Sequence, residues 1–132
     1  MTTFTFTYLG NYKNHGQDAE QSVRFTLTGE ILKADSLRYD LGADCLNYQI
    51  KSARATVCKG DNLEAYLNLD ASTAYIYADN NGTAWVMSRE EYIAFCKEFV
   101  TATNESPANG GGTKLRLKSE SSKMMAWLRE HL

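Results

Sequence analysis

The sequence is poor in residues that staple a fold, hold zinc or cross a membrane. It has one proline, two histidines and three cysteines, and its apolar runs are only a few residues long. With no long apolar run, no segment is expected to span a bilayer. Cys45, Cys58 and Cys96 are odd in number and lack CxxC spacing. That argues against a disulfide framework or a zinc site and for reduced, partly buried thiols. His15 and His131 stand near opposite ends, where a zinc hydrolase would want more imidazoles. Positive charge is not in excess either: 14 Lys and Arg against 16 Asp and Glu leave a net −2. Proteins that coat nucleic acid by charge alone are usually basic, so any contact with DNA or RNA is expected to run through a local patch. The opening MTTFTFTYLG alternates Thr with aromatics and lacks a basic region followed by an apolar block. It does not read as a signal peptide, and a cytoplasmic location is the expectation.

What the chain does contain is patterning. Its 132 residues suit one domain with a hydrophobic core. TFTFTYL alternates strictly and predicts a strand with Phe4, Phe6 and Tyr8 on one face. GQDAEQSVRFTLTG predicts a helix with Ala19, Val23 and Leu27 inward, Glu20 and Arg24 on another side, and Gly29 as its C-terminal cap. Residues 31 to 58 read as two or three strands, with DLGAD as a turn and NYQIKSARATVCK as the longest strand. DNLEAYLNL predicts a short helix capped by Asp61 with Glu64 three residues on. TAYIYADNNGTAWVMS is a hairpin signal around Asp79–Gly82. Ser88 with Glu91 opens a helix that carries Tyr92, Phe95, Cys96 and Phe99 on one stripe. TNESPANGGGTK reads as a surface loop, KLRLK as a short strand, and SSKMMAWLREHL as a closing helix with Met124, Trp127 and Leu128 inward. The order of elements predicts a mixed α/β or α+β fold around one sheet.

The chemistry centres on YQIKSAR. Tyr48 and Ile50 point one way, Gln49 and Lys51 the other. Asp35, Asp40 and Asp44 lie upstream, and Glu20 sits on the first helix. Two or three oxygen ligands with a lysine are what metal-assisted phosphodiester cleavage uses, because Mg²⁺ takes few protein oxygens and leaves positions open for phosphate and water. The bland readings stand beside this one. Gln49 and Lys51 can line a wet strand face, Glu20 can pair with Arg24, and aspartates around Gly42 are at home in a turn. His15 suits a surface or capping role, the cysteines suit core filling, and the hairpin aromatics Tyr75, Tyr77 and Trp85 suit core more than base stacking. Lys114, Arg116, Lys118 and Lys123 form the densest positive cluster, a solvated stretch or a grip on phosphate.

The pieces HGQDAEQ, LGAD and YQIKSAR, in that order, resemble the PD-(D/E)XK nuclease superfamily, which includes restriction endonucleases and archaeal Holliday-junction resolvases. The resemblance covers about half of the chain. It implies a restriction-endonuclease-like αβββαβ core with a mixed central sheet over residues 17–78. The rest, 79–132, is then an elaboration of hairpin and helices within one domain, 1–132. Glu20 resembles the first-helix acid, Asp44 or Asp40 the motif aspartate (Asp35 is a roomier alternative), and Lys51 the motif lysine. Gln49 stands where the family usually has an acid, a QxK variant similar to the Mrr-like branch. No PD precedes the motif. The implied activity is Mg²⁺- or Mn²⁺-dependent hydrolysis of phosphodiesters, most naturally of DNA, with Glu20, Asp44, Gln49 and Asp40 as candidate metal ligands. Lys51 would position the attacking water, and Arg54, Ser52, Lys114, Arg116 and Lys118 would contact phosphate. A dimer would let two sites face one duplex. The competing expectation keeps the fold without catalysis, leaving a nucleic-acid-binding or protein-interaction module of prokaryotic or phage setting, an accessory or inhibitor factor.

Overall fold

The computed structural model describes residues 1–10, 15–29, 48–69, 72 and 74–132. Asp35, Asp40, Asp44, Cys45 and the strands and turn expected before residue 48 lie outside the described residues. The elements are β1 (Thr2–Thr5), α1 (His15–Thr28), β2 (Tyr48–Lys51), β3 (Thr56–Lys59), α2 (Leu63–Leu67), β4 (Ala74–Ala78), β5 (Thr83–Met87), α3 (Arg89–Phe99), β6 (Val100–Asn104), β7 (Thr113–Leu117) and α4 (Ser122–Glu130), with a 3₁₀ turn at Pro107–Asn109. They make a mixed α/β structure with two sheets rather than the expected one. The first runs β1-β5-β4-β2, antiparallel except for the parallel pair β2 and β4; the second, β3-β7-β6, is antiparallel throughout.

Strand alternation splits the core in two. Tyr75, Tyr77, Trp85 and Met87 point from the first sheet towards α3 and α4, where Tyr92, Phe95, Cys96, Phe99, Met124 and Leu128 complete the larger cluster. Ile50, Ile76, Ala78 and Ala84 point the other way and meet Ala19 and Val23 of α1, with Phe6. Phe4 and Tyr8 pack on this second cluster, so the three N-terminal aromatics share a face although β1 itself ends at Thr5. The second sheet closes the larger cluster through Val57, Cys58 and Leu117. Two-sided burial explains why β4 reads Ala-Tyr-Ile-Tyr-Ala with no charge.

Four local expectations need correction. NYQIKSARATVCK is not one strand: Ala55 N–H donates to Ser52 O (3.1 Å), Arg54 adopts φ +65°, and the chain passes from one sheet to the other. A non-glycine residue in that left-handed region marks a forced turn. Leu27, expected inward, is 42% exposed, whereas Arg24, expected on another side from the inward residues, is fully buried. The cap of α2 is Asn62, whose side chain accepts from Ala65 N, and not Asp61. Finally, Val100–Asn104 follows α3 without a loop and forms β6, so the surface loop begins at Glu105.

Candidate nucleic-acid interface

Gln49 and Lys51 do share a face, and the register identifies it. Gln49 pairs with Tyr75 and Lys51 with Tyr77 in the parallel ladder, so both point to the side that α3 covers. Ile50 between them packs with Ala19 and Val23. The helix that carries Glu20 therefore lies over the opposite face of β2 from Gln49 and Lys51. Both residues are half-buried, and the Lys51 charge acts on the Cys96 thiol. Burial pushes that thiol up to about 12, and Tyr92 and Lys51 pull it back only in part. Burial also pushes the Cys58 thiol up, helped by Asp61. Neither sulfur is an activated nucleophile. Among the described residues no three His, Cys, Asp or Glu side chains stand together as metal ligands. Ser52 is 2% exposed and belongs to the strand-to-strand turn, where its carbonyl accepts from Ala55 N–H.

The hairpin aromatics are not a stacking platform. Tyr75 and Tyr77 are each 1% exposed and Trp85 5%. Tyr75 stacks on Tyr92 with ring centroids 4.3 Å apart. Tyr77 donates to Glu120 Oε1 (2.8 Å), and the Trp85 indole donates to Asp79 Oδ2 (2.9 Å). The other oxygen of Asp79 accepts from the backbone N–H groups of Asn81 (2.8 Å) and Thr83 (2.9 Å). Asp79 thus closes its own hairpin as an acceptor for a turn and an indole.

The positive residues come together elsewhere, on the outer face of the second sheet. Along β7, Leu115 and Leu117 point into the core, so Lys114 and Arg116 point out. Arg116 lies opposite Thr101 of β6 and Thr56 of β3, and Lys114 opposite Thr103 and Lys59. Lys59 was not singled out in the sequence, and a bulge explains why. Strict alternation from the outward Thr56 would turn Cys58 out and Lys59 in. The register shift between Thr56 and Cys58 instead buries Val57 and Cys58 in succession and turns Lys59 outward. Lys59 and Arg116 are exposed, as are Arg54 in the preceding turn and Lys118 just past β7. Arg116 Nε donates to Thr56 Oγ1 (3.3 Å), which steadies the guanidinium on the sheet.

This face has three cations and three threonines and no aromatic residue. Neighbouring strands stand about 4.8 Å apart, and successive outward residues about 6.8 Å apart along a strand. The cations therefore form a tight plane that can meet several phosphates at once. Hydroxyls and amines suit phosphate oxygens; without an aromatic ring there is no surface for base stacking. No family model, no curated protein and no solved structure matches the chain.

Proposed function

We propose that the protein is a nucleic-acid-binding module that grips the sugar-phosphate backbone with the outer face of the β3-β7-β6 sheet. The observation that carries this is the gathering of Lys59, Lys114 and Arg116, flanked by Arg54 and Lys118, on one exposed face of a chain whose net charge is −2. Lys114, Arg116, Lys118 and Arg54 keep the phosphate-contacting role expected of them, and Lys59 joins them. Binding through cations and hydroxyls alone reads no base edges, so affinity should vary little with sequence. The test is fluorescence anisotropy with labelled duplex and single-stranded DNA and RNA. Counterion release gives a slope of log K against log salt of about −0.9 per phosphate on duplex DNA, so three to five engaged cations predict roughly −3 to −5. Arg116→Glu should weaken binding to every sequence alike. Binding that ignores salt, or survives Arg116→Glu unchanged, refutes the reading.

A second reading, Mg²⁺- or Mn²⁺-dependent phosphodiester hydrolysis on a restriction-endonuclease-like core, is supported by one observation. β2, which carries Lys51, and β4 are parallel neighbours whose connection contains α2, after β3 of the other sheet. This reading needs Asp44 or Asp40 to supply a carboxylate on the face that Gln49 and Lys51 share, since Glu20 rides on the helix over the other face. Cutting of plasmid in Mg²⁺ or Mn²⁺ but not EDTA, lost in both Lys51→Ala and Asp44→Ala, would favour it over binding alone.

A further inference from the structure

A concavity of about 490 Å³ opens at one end of the basic face, between Lys59 and Gly60 on one side and the Gly110–Lys114 segment on the other. We infer that this concavity seats one phosphodiester group of the bound backbone, an assignment that rests on the nucleic-acid reading above. Three features of the lining carry it.

Charge comes first. Lys59 and Lys114 face each other directly across β3 and β7, and like charges in that relation repel. The Glu105 carboxylate lies 3.9 Å from Lys114 Nζ, and among the described residues Lys59 has no ion-pair partner. Two ammonium groups and one carboxylate leave a single positive charge, which matches the single negative charge of a phosphodiester. The second feature is access. Gly110, Gly111 and Gly112 have φ of +100°, +67° and +77°, and the space where a Cβ would stand on Gly110, Gly112 and Gly60 is open to at least 4 Å. The left-handed backbone, Gly60 included at φ +92°, and not a packed neighbour is what calls for glycine at those three sites. Bare backbone is what faces the groove, and a sugar-phosphate chain can come up against it. The third feature is a donor. Gly110 N–H is bonded to Pro107 O and Gly111 N–H to Ser106 O, while Gly112 N–H has no acceptor among the described residues. A phosphate oxygen supplies one.

The test uses amide NMR and anisotropy together. Dimethyl phosphate, inorganic phosphate and a short DNA duplex are titrated separately into the full chain, and into Lys59→Ala and Glu105→Gln proteins. The seat predicts that dimethyl phosphate and duplex both move the amide signals of Gly60, Gly110, Gly111 and Gly112, and that Lys59→Ala abolishes both shifts. It predicts a salt slope on duplex shallower by about 0.9 for Lys59→Ala, because one phosphate is no longer neutralised. Glu105→Gln should tighten duplex binding several-fold, because it removes a negative charge that stands 3.9 Å from Lys114 Nζ and repels phosphate. A merely structural role for Glu105 would not raise affinity. Duplex that binds with a salt-dependent affinity but leaves the glycine amides still overturns the seat and spares the basic face. Glycine shifts with inorganic phosphate alone, with duplex and dimethyl phosphate inert, assign the groove to a free anion and overturn the seat as stated. Absence of duplex binding in every protein overturns face and seat together.

Discussion

Replacing Asp79 tests how the hairpin that anchors both cores is held. Asp79 is 1% exposed and accepts three hydrogen bonds, from Asn81 N, Thr83 N and Trp85 Nε1. In Asp79→Ala all three donors lose their acceptor. Asn81 is exposed and Thr83 half-buried, so water re-pairs those N–H groups and each loss costs about 1 kcal/mol. The indole N–H is inside the core, where an unsatisfied donor costs about 1–3 kcal/mol. The expected total is therefore roughly 3–5 kcal/mol, a large share of the ~5–15 kcal/mol that holds a typical domain. Urea unfolding followed by circular dichroism measures it. Trp85→Phe supplies the second arm of a double-mutant cycle, which removes the packing loss common to both backgrounds and leaves the Asp79–Trp85 coupling. That coupling should reach about 1.5 kcal/mol, the lower range for a hydrogen bond to a charged group. A destabilisation below about 1 kcal/mol in Asp79→Ala, or a coupling within ~0.3 kcal/mol of zero, refutes the reasoning.

Gly82 should not tolerate a side chain. It sits at φ +81°, and a Cβ there would stand 2.6 Å from the carbonyl oxygen of Phe6, whose N–H donates to Gly82 O at 2.8 Å. Gly82→Ala combines backbone strain with a clash against backbone and should cost about 2–4 kcal/mol in urea unfolding, while a cost under about 0.5 kcal/mol would show that the Phe6 segment yields. Tyr8 makes stability fall at alkaline pH. Burial, then the charges of Asp79, Glu120 and Asp18, push its hydroxyl from the ordinary 10 up to about 12. The folded state holds this proton more tightly than the unfolded one, so the contribution is whole below pH 10 and is lost as pH rises towards 12. Tyr8→Phe keeps the edge contact with Phe6 at 4.9 Å and should flatten the decline in urea midpoint between pH 10 and 12; an unchanged decline assigns it elsewhere.

Elements whose signals are local were legible. The β4–β5 hairpin announced itself by alternating aromatics around a glycine turn, and α3 by Ser88 and Glu91, whose capping box is formed in both directions. Gly29 adopts φ +73° beyond α1, as its place after the last apolar residue predicts. What was not legible depends on partners distant in sequence. Nothing in QIKSARATV says that Ile50 and Val57 belong to different sheets; that follows from which strands stand beside them, β4 and β7. β6 was hidden because Thr-Ala-Thr-Asn directly continues a helix, and only pairing with β7 makes it a strand.

The same dependence decides where the candidate residues point. Because side chains alternate with period two, one inserted residue exchanges the two faces of a strand downstream of it. In β2 no such residue intervenes, so Gln49 and Lys51 fall where alternation from Ile50 sends them, beside Tyr75 and Tyr77 and across the sheet from the helix of Glu20. In β3 the bulge intervenes, and Lys59 leaves the core for the exposed face where Lys114 and Arg116 stand. The pair that looked most like chemistry is half-buried against the core, whereas the lysine with no motif around it joins Lys114 and Arg116 on the outer face of the second sheet. Had the bulge been absent, alternation from Thr56 would turn Lys59 towards the core, where an ammonium group is costly to bury, so the bulge is what brings Lys59 to the face that carries Lys114 and Arg116.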